Sequence, residues 1–286
     1  MAPALDLSAR RTPRFKLPPG ACDAHCHVFG PAAKFPFAPN RRYTPDDAPK
    51  EVLTALHAHL GIERAVIVQA SCHGSDNAAM LDAIAAAPHR YRGVAIVDDS
   101  FGDADFEALH RGGVRGVRFN FVKHLGGAPD MDVFWRVIDR IKERGWHVVL
   151  HLDAPDVIVL SGMMRQLPLP FVIDHMARVP AAAGADQPAL RALLDLAKLE
   201  GCWIKVSGSE RIDMPPYDAA IPIAHVIVAA APERVLWGTD FPHPNPTHVC
   251  DEADLVDLVP RFAPDAATQH KLLVDNPVRL YGFGAP

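Results

Sequence analysis

The sequence predicts a single-domain α/β protein, a distorted (β/α)₈ TIM barrel. Eight short β-rich runs recur along the 286 residues, Ala- and Leu-rich helical patterns separate them, and nearly every run ends in a polar or charged residue. Apolar strands alternating with amphipathic helices indicate a parallel sheet covered on its outside. Eight such units close into a barrel, whose usual size of roughly 250 residues suits this chain.

The first run, 21–28, follows the punctuation Pro18-Pro19-Gly20. RAVIVQ (64–69), YRGVAIV (91–97) and VRGVRF (114–119) come next, then HVVL (147–150), FVI (171–173), CWIKV (202–206) and RVLW (234–237). Helices are expected at 51–60, 77–87, 131–144, 188–200, 219–231 and 266–273. Asp76 suits a helix N-cap, and Gly61 and Gly145 suit C-caps. The sixth unit is irregular, because 178–187 is rich in Ala and Gly and reads as a long loop. Residues 1–20 carry arginines and prolines without an apolar h-region, so they read as an extended arm preceding a barrel of residues 21–286.

A formal charge of -5 and a pI near 6.3 speak against nucleic-acid or acidic-membrane partners. No apolar run approaches the ~20 residues that span a bilayer. The five cysteines are odd in number and scattered without a CxxC, which indicates reduced thiols in a cytoplasmic protein. Cys26 sits between two histidines, but strand alternation turns it away from whatever they face. A homo-oligomer is compatible with all of this.

Function is written at the strand ends, since the C-terminal rim of such a barrel is where catalysis is built. His25 and His27 form a His-x-His whose spacing puts both imidazoles on one face. They can bind a metal, present N–H donors to a substrate oxygen, or serve as packed structural histidines. Asp240 ends LWGTD, where a carboxylate can take a proton from water and return it to a leaving oxygen. The bland alternative is an Asp capping the turn that follows. His175, after FVID, can polarise the attacked carbonyl. Its neighbour Asp174 is expected to point the other way and buttress the barrel. The seventh strand carries Lys205 and Ser207. Arg118, Arg178 and Arg211 come from three separate strand ends, and guanidinium forks bind carboxylates in bidentate fashion. They point to a small anionic carboxylate or sulfonate substrate, unless each makes only an ordinary ion pair.

Read together, DAHCHVFG, VIVQASCHGSDN, GVRGVRFNF, VIDHMAR, LWGTDFPHPN and NPVRLYGF resemble the amidohydrolase superfamily, in particular its branch of 2-pyrone-4,6-dicarboxylate hydrolases and related lactonases. The resemblance runs from about Pro18 to Phe283. It implies hydrolytic opening of a cyclic ester of a di- or tricarboxylic acid, without a metal in several members. It places His25, His27, His175 and Asp240 in the reaction centre. Tyr43, Ser71, His73, Arg118, Arg178, Arg211 and Asn245 fall in stretches that match substrate-contact motifs, and His124 and His151 stand at carboxylate-holding positions. Two of these depart from the pattern: His151 replaces an expected tyrosine, and VKHL, with His124, replaces an expected second arginine. Both departures bear on which lactone is taken, a muconolactone, sulfomuconolactone or sugar-acid lactone included.

The same four residues, His25, His27, His175 and Asp240, also suit zinc or manganese, with His151 as a further candidate. A metal-dependent hydrolase or non-oxidative decarboxylase would then result. A third reading is a catalytically idle barrel that binds a carboxylate without turnover.

Overall fold

The computed structural model describes residues 10–244, 248 and 250–284. Eight parallel strands pair in sequence order: β1 (Cys22–Cys26), β2 (Arg64–Val68), β3 (Tyr91–Ala95), β4 (Val114–Asn120), β5 (His147–His151), β6 (Phe171–Ile173), β7 (Cys202–Lys205) and β8 (Val235–Leu236). Each lies where its β-rich run predicts it, within a residue or two at most ends. The ring closes through backbone bonds just beyond β8. Ala24 N–H donates to Trp237 O (2.8 Å), Asp240 N–H to His25 O (2.8 Å) and His27 N–H to Phe241 O (2.7 Å).

The outer layer holds α1 (Lys50–Leu60), α2 (Ala78–Ala86), α3 (Asp103–Arg111), α4 (Met131–Lys142), α5 (Ala154–Met164), α6 (Pro188–Leu196), a short α7 (Ser209–Ile212), α8 (Ala220–Ala230), α9 (Glu252–Phe262), α10 (Ala266–His270) and α11 (Asn276–Tyr281). The expected helix at 266–273 is α10 followed by a π-helical turn, Lys271–Asp275. α1 ends on Gly61 at φ +79°, the left-handed C-cap that glycine adopts without steric cost. The expected helix at 131–144 stops at Lys142, because Gly145 turns at φ +65° and Trp146 N–H closes on Ile141 O at 3.1 Å. Asp76 accepts the Ala78 N–H at 3.0 Å, although Asn77 occupies the N-cap position itself. The weak sixth connection is a loop with a short 3₁₀ turn, Ala181–Ala183.

Apolar residues form two layers. A small inner cluster (Ala24, Val66, Val68, Val94, Val149, Val172, Leu236) fills the barrel and is plugged by Tyr281 and Phe283. A larger one, including Leu53, Ile67, Phe106, Ile138, Leu150 and Leu193, lies between sheet and helices. Continuous burial of the strands on both faces follows from this sandwiching. All five cysteines are buried and unpaired, and Cys26 sits in the outer layer with Sγ 3.6 Å from Val66 O.

Residues 10–20 contain no helix or strand. Their first part lies on α9: Arg10 meets Glu252 at 2.7 Å, and the Arg14 and Phe15 N–H groups donate to Asp257 at 2.7 and 2.8 Å. Among the described residues no helix is long and apolar enough to cross a membrane.

Candidate active site

The β1 strand shows how local sequence makes the site. Cys22 and Ala24 face the inner cluster, and a register irregularity between Asp23 and Cys26 then re-aims the strand. A bulge of this kind shifts the alternation, so that His25 and His27 take over the inward face while Cys26 faces out. Asp23 faces the rim of α1 and β8 instead. It accepts from the N–H groups of His25 and Thr239, both at 3.0 Å, from Thr239 Oγ1 at 2.5 Å, and stands 3.3 Å from His57 Nε2.

At the opposite wall, β6 runs into four consecutive residues in the left-handed region, His175, Met176, Ala177 and Arg178, with φ between 51° and 53°. Each costs on the order of 1–2 kcal/mol for a non-glycine residue. Strain of this kind persists where surrounding contacts over-determine it, commonly at functional sites. It abolishes strand alternation beyond Ile173, which corrects the expectation for Asp174. That carboxylate turns into the barrel mouth beside His175, and takes Arg118 Nε at 3.0 Å and Lys205 Nζ at 3.1 Å. Asp240 is left-handed too, at φ 60°.

Around Asp240 the polar side chains converge. Oδ1 lies 3.2 Å from His27 Nε2, 3.7 Å from His25 Nε2 and 3.9 Å from His175 Nε2. Oδ2 is held by Nε and Nη2 of Arg211. His27 Nδ1 stands 2.7 Å from Val68 O, which can only accept, so that nitrogen carries the hydrogen. Ser207 Oγ sits 3.0 Å from His175 Nδ1 and orients that ring. His25 Nδ1 is 2.9 Å from Lys205 Nζ.

These environments fix charge states. Burial alone would raise Asp240, but Arg211, His175, His27 and His25 outweigh it and hold the carboxyl well below its usual range. Burial, with Lys205 adding to it, pushes His25 down to about 3. Burial likewise lowers His175 and His151 well below the ordinary histidine value. The centre therefore presents an ionised aspartate with His25 and His175 neutral beside it.

Above it lies a cavity of about 350 Å³ of empty space, lined by His27, Tyr43, Ser71, Arg118, His124, Leu125, His151, His175, Arg178, Arg211, Asp240 and Pro244. Ten of the thirteen residues picked out from sequence line it (His27, Tyr43, Ser71, Arg118, His124, His151, His175, Arg178, Arg211 and Asp240). His25 lies beneath as a fully buried neighbour of Asp240. His73, expected among the substrate contacts, is not among the residues that line this cavity. Its Nε2 faces the Gly30 N–H at 3.2 Å and its Nδ1 the Pro36 carbonyl at 3.3 Å, so it pins the loop leading to Tyr43. Asn245 lies outside the described residues.

The three arginines make ion pairs and line the cavity at once. Arg118 pairs with Asp174, Arg211 with Asp240, and the more open Arg178 with Asp153 at 3.4 Å. His151 Nδ1 meets Asn120 Oδ1 at 2.9 Å, while its buried Nε2 has no hydrogen-bond partner. Sequence reasoning left Lys205 without a role, although a lysine inside an apolar strand is itself a signal, since charged residues are almost never fully buried unpaired.

Ligand atoms of His25, His27 and Asp240 lie within 4.8 Å of one another, as do those of His25, Asp174 and His175, a spacing suited to a metal. The hydrogen of His27 on Nδ1 leaves Nε2 as a ligand atom. Yet Arg211 occupies one oxygen of Asp240, Lys205 addresses His25, and Arg118 completes a set of three cations against two carboxylates. His151 does not join either group. As arranged, these donors do not fit a divalent cation.

The amidohydrolase family profile matches residues 22–283. The chain is 47% identical over 281 residues to a 2-pyrone-4,6-dicarboxylate hydrolase of Comamonas testosteroni, covering 94% of this chain and 92% of the relative. It is 43% identical over 282 residues to a 4-sulfomuconolactone hydrolase of Rhizobium radiobacter, covering 96% and 94%. A crystal structure of a probable 2-pyrone-4,6-dicarboxylic acid hydrolase from Acinetobacter baumannii, with citric acid bound, superposes with a TM-score of 0.82 at 27% identity, covering 92% of this chain and all (100%) of that one.

Proposed function

This chain belongs to the amidohydrolase family, and on that footing we propose that it hydrolyses the cyclic ester of a small di- or tricarboxylic acid, a lactone like 2-pyrone-4,6-dicarboxylate. One observation carries the reading. A single ionised carboxylate, Asp240, faces a cavity whose walls also carry three guanidinium groups, a phenol and a serine hydroxyl. Such a cavity suits an anionic substrate and a water that needs a base. Two relatives that share more than two-fifths of their residues with this chain hydrolyse lactones bearing carboxylate or sulfonate groups. The structural relative holds citric acid, a tricarboxylate.

The steps follow from the placement of charge. Arg118, Arg178 and Arg211, with Tyr43, Ser71, His124 and His151, hold the carboxylates and turn the lactone carbonyl toward the histidines. Asp240 takes a proton from water as its oxygen adds to that carbonyl carbon, and His25 and His175 stabilise the oxygen that gains charge. The tetrahedral carbon then expels the ring oxygen, and Asp240 returns the proton to it. The C–O bond of the ring breaks, a carboxylic acid and a hydroxyl (or enol) form, and one water is consumed. No step is routed through a metal. The three cations beside the centre support that choice.

Arg211 links binding to activation. It holds Asp240 until a substrate carboxylate competes for the guanidinium. The aspartate thereby loses the charge that makes it a weak base, and it gains basicity when the substrate is in place.

The test is absorbance loss of 2-pyrone-4,6-dicarboxylate, with and without chelator, by the native enzyme and by Asp240→Asn. Turnover insensitive to chelator is expected, with a loss of about 10²–10⁴-fold or more in the variant and carboxylate binding retained. Full activity in Asp240→Asn would sink the mechanism. Carboxylate binding with no turnover by native protein would instead make the barrel a binding module.

A further inference from the structure

Lys205 is the one lysine sealed inside the described barrel, with no exposed surface. It follows three apolar or aromatic positions of β7, and the proposed mechanism gives it nothing to do. Its Nζ lies 2.9 Å from Nδ1 of His25 and 3.1 Å from Oδ1 of Asp174. The same Oδ1 stands 3.2 Å from His25 Nδ1, farther than the lysine. Two groups thus compete for one imidazole nitrogen, and they impose opposite tautomers.

If Asp174 held His25, the hydrogen would sit on Nδ1 and the lone pair on Nε2, the arrangement by which a carboxylate prepares a histidine to ligate a metal. An ammonium has only donors, so a bond from Lys205 requires the lone pair on Nδ1 and the hydrogen on Nε2. A neutral imidazole carries one of these, never both. The hydrogen-bond geometry favours the lysine. His25 Nε2 then points its hydrogen at the centre, 3.7 Å from Asp240 Oδ1.

We propose that Lys205 is a positioning residue: by donating to Nδ1 of His25 it fixes that ring as an Nε2–H donor toward Asp240, and so closes the His-x-His cluster to a divalent cation. Asp174 is itself paired with Lys205 and Arg118. The cluster keeps the spacing of a metal site while one of its ligands has the wrong tautomer. The inference draws its catalytic meaning from the lactone reading, in which His25 is a donor at the reacting carbonyl. Its test uses no substrate, so the two can fail separately.

The experiment is ¹⁵N NMR of histidine-labelled full-length protein, with the His25 signals assigned by comparison with His25→Gln, and zinc titration by calorimetry. Native protein is expected to show His25 protonated at Nε2. In Lys205→Met the ring is expected to turn its hydrogen to Nδ1, toward Asp174, and zinc is expected to bind about tenfold tighter or more, the scale on which such supporting contacts act. An Nδ1–H signature for His25 in native protein overturns the proposal. So does a folded Lys205→Met with unchanged zinc affinity. Should Lys205→Met fail to fold because Asp174 loses a partner, Lys205→Gln keeps a neutral donor for Asp174, leaves that carboxylate paired with Arg118, no longer forces the lone pair onto Nδ1, and carries the same zinc expectation.

Discussion

Arg211 grips Asp240 from one side only. Its Nε and Nη2 both meet Oδ2, and its Nη1 donates to the Pro244 carbonyl at 2.9 Å, which leaves Oδ1 to the three histidines. The two oxygens of the base thus have separate partners, one cationic and one imidazole set. Replacing Arg211 with Met removes the leading cause that holds the carboxyl low, while burial continues to push it up. The acid limb of kcat/KM should move to higher pH, and kcat/KM should fall on the order of 10²-fold or more as a substrate contact is lost. A pH–rate profile reads both. An acid limb that stays put would show that Arg211 does not set the base.

Asp240, His25, His175 and His151 should add no inflection to kcat/KM from about pH 5 to 8, the range in which an ordinary histidine changes charge. The sign follows from each group. Asp240 is depressed, so it is already ionised across that window and is lost only as pH falls below the usual carboxylate range. His25, at about 3, and His175 and His151, also lowered, stay neutral throughout. The kcat profile should have its acid limb at higher pH than kcat/KM, because bound substrate draws Arg211 off and adds negative charge. A histidine-like inflection near 6.5 that disappears in His151→Gln would contradict the assigned charge states.

Arg178 and Arg118 should separate on substitution. The Arg178 side chain is 28% exposed and its Asp153 partner 38%, whereas Arg118 and Asp174 are 5% and 0% exposed. Arg178→Met should raise KM about tenfold with kcat and melting temperature nearly unchanged, since it removes binding common to ground and transition states. Arg118→Met should raise KM and also lower the melting temperature, because Asp174 keeps only Lys205. A buried acceptor deprived of a partner costs about 1–3 kcal/mol. Steady-state kinetics beside thermal unfolding distinguishes the two, and equal losses of stability would refute the assignment.

Gly238 should tolerate no side chain. A Cβ there would sit 2.6 Å from His25 N, 2.7 Å from His25 Cβ and 2.9 Å from Asp23 Oδ1, all of them immobile parts of the seam between β1 and β8. Gly238→Ala should therefore open that seam, displacing His25 and Asp240 together. The expected result is a lowered melting temperature with kcat reduced more than KM is raised. A variant with native kinetics would mean that the seam does not position the base.

The eight strands and most of the site were legible in the sequence because each depends on local chemistry. Apolar runs of strand length, glycine at Gly61, and polar residues at strand ends are readable one segment at a time. The helices α3, α5 and α9 were harder to read. α3 buries only Phe106 and Leu109, α5 (APDVIVLSGMM) is apolar on nearly every side, and α9 has Pro260 inside it. Asp174 was misplaced because alternation holds only while a strand lasts, and β6 ends at Ile173 in a left-handed turn. His73 was grouped with substrate contacts by its motif, while the fold spends both its ring nitrogens on the neighbouring loop.

The sequence by itself determined the architecture, the family and the set of residues at the mouth of the barrel, because side-chain periodicity and strand-end chemistry are properties of short segments. Tertiary structure decided which of those residues touch. The pairs of Arg211 with Asp240, Lys205 with His25 and Arg118 with Asp174 join positions 29, 180 and 56 residues apart in the chain. Their protonation depends on burial and on charges a few ångströms away, and those distances exist only once the barrel has closed.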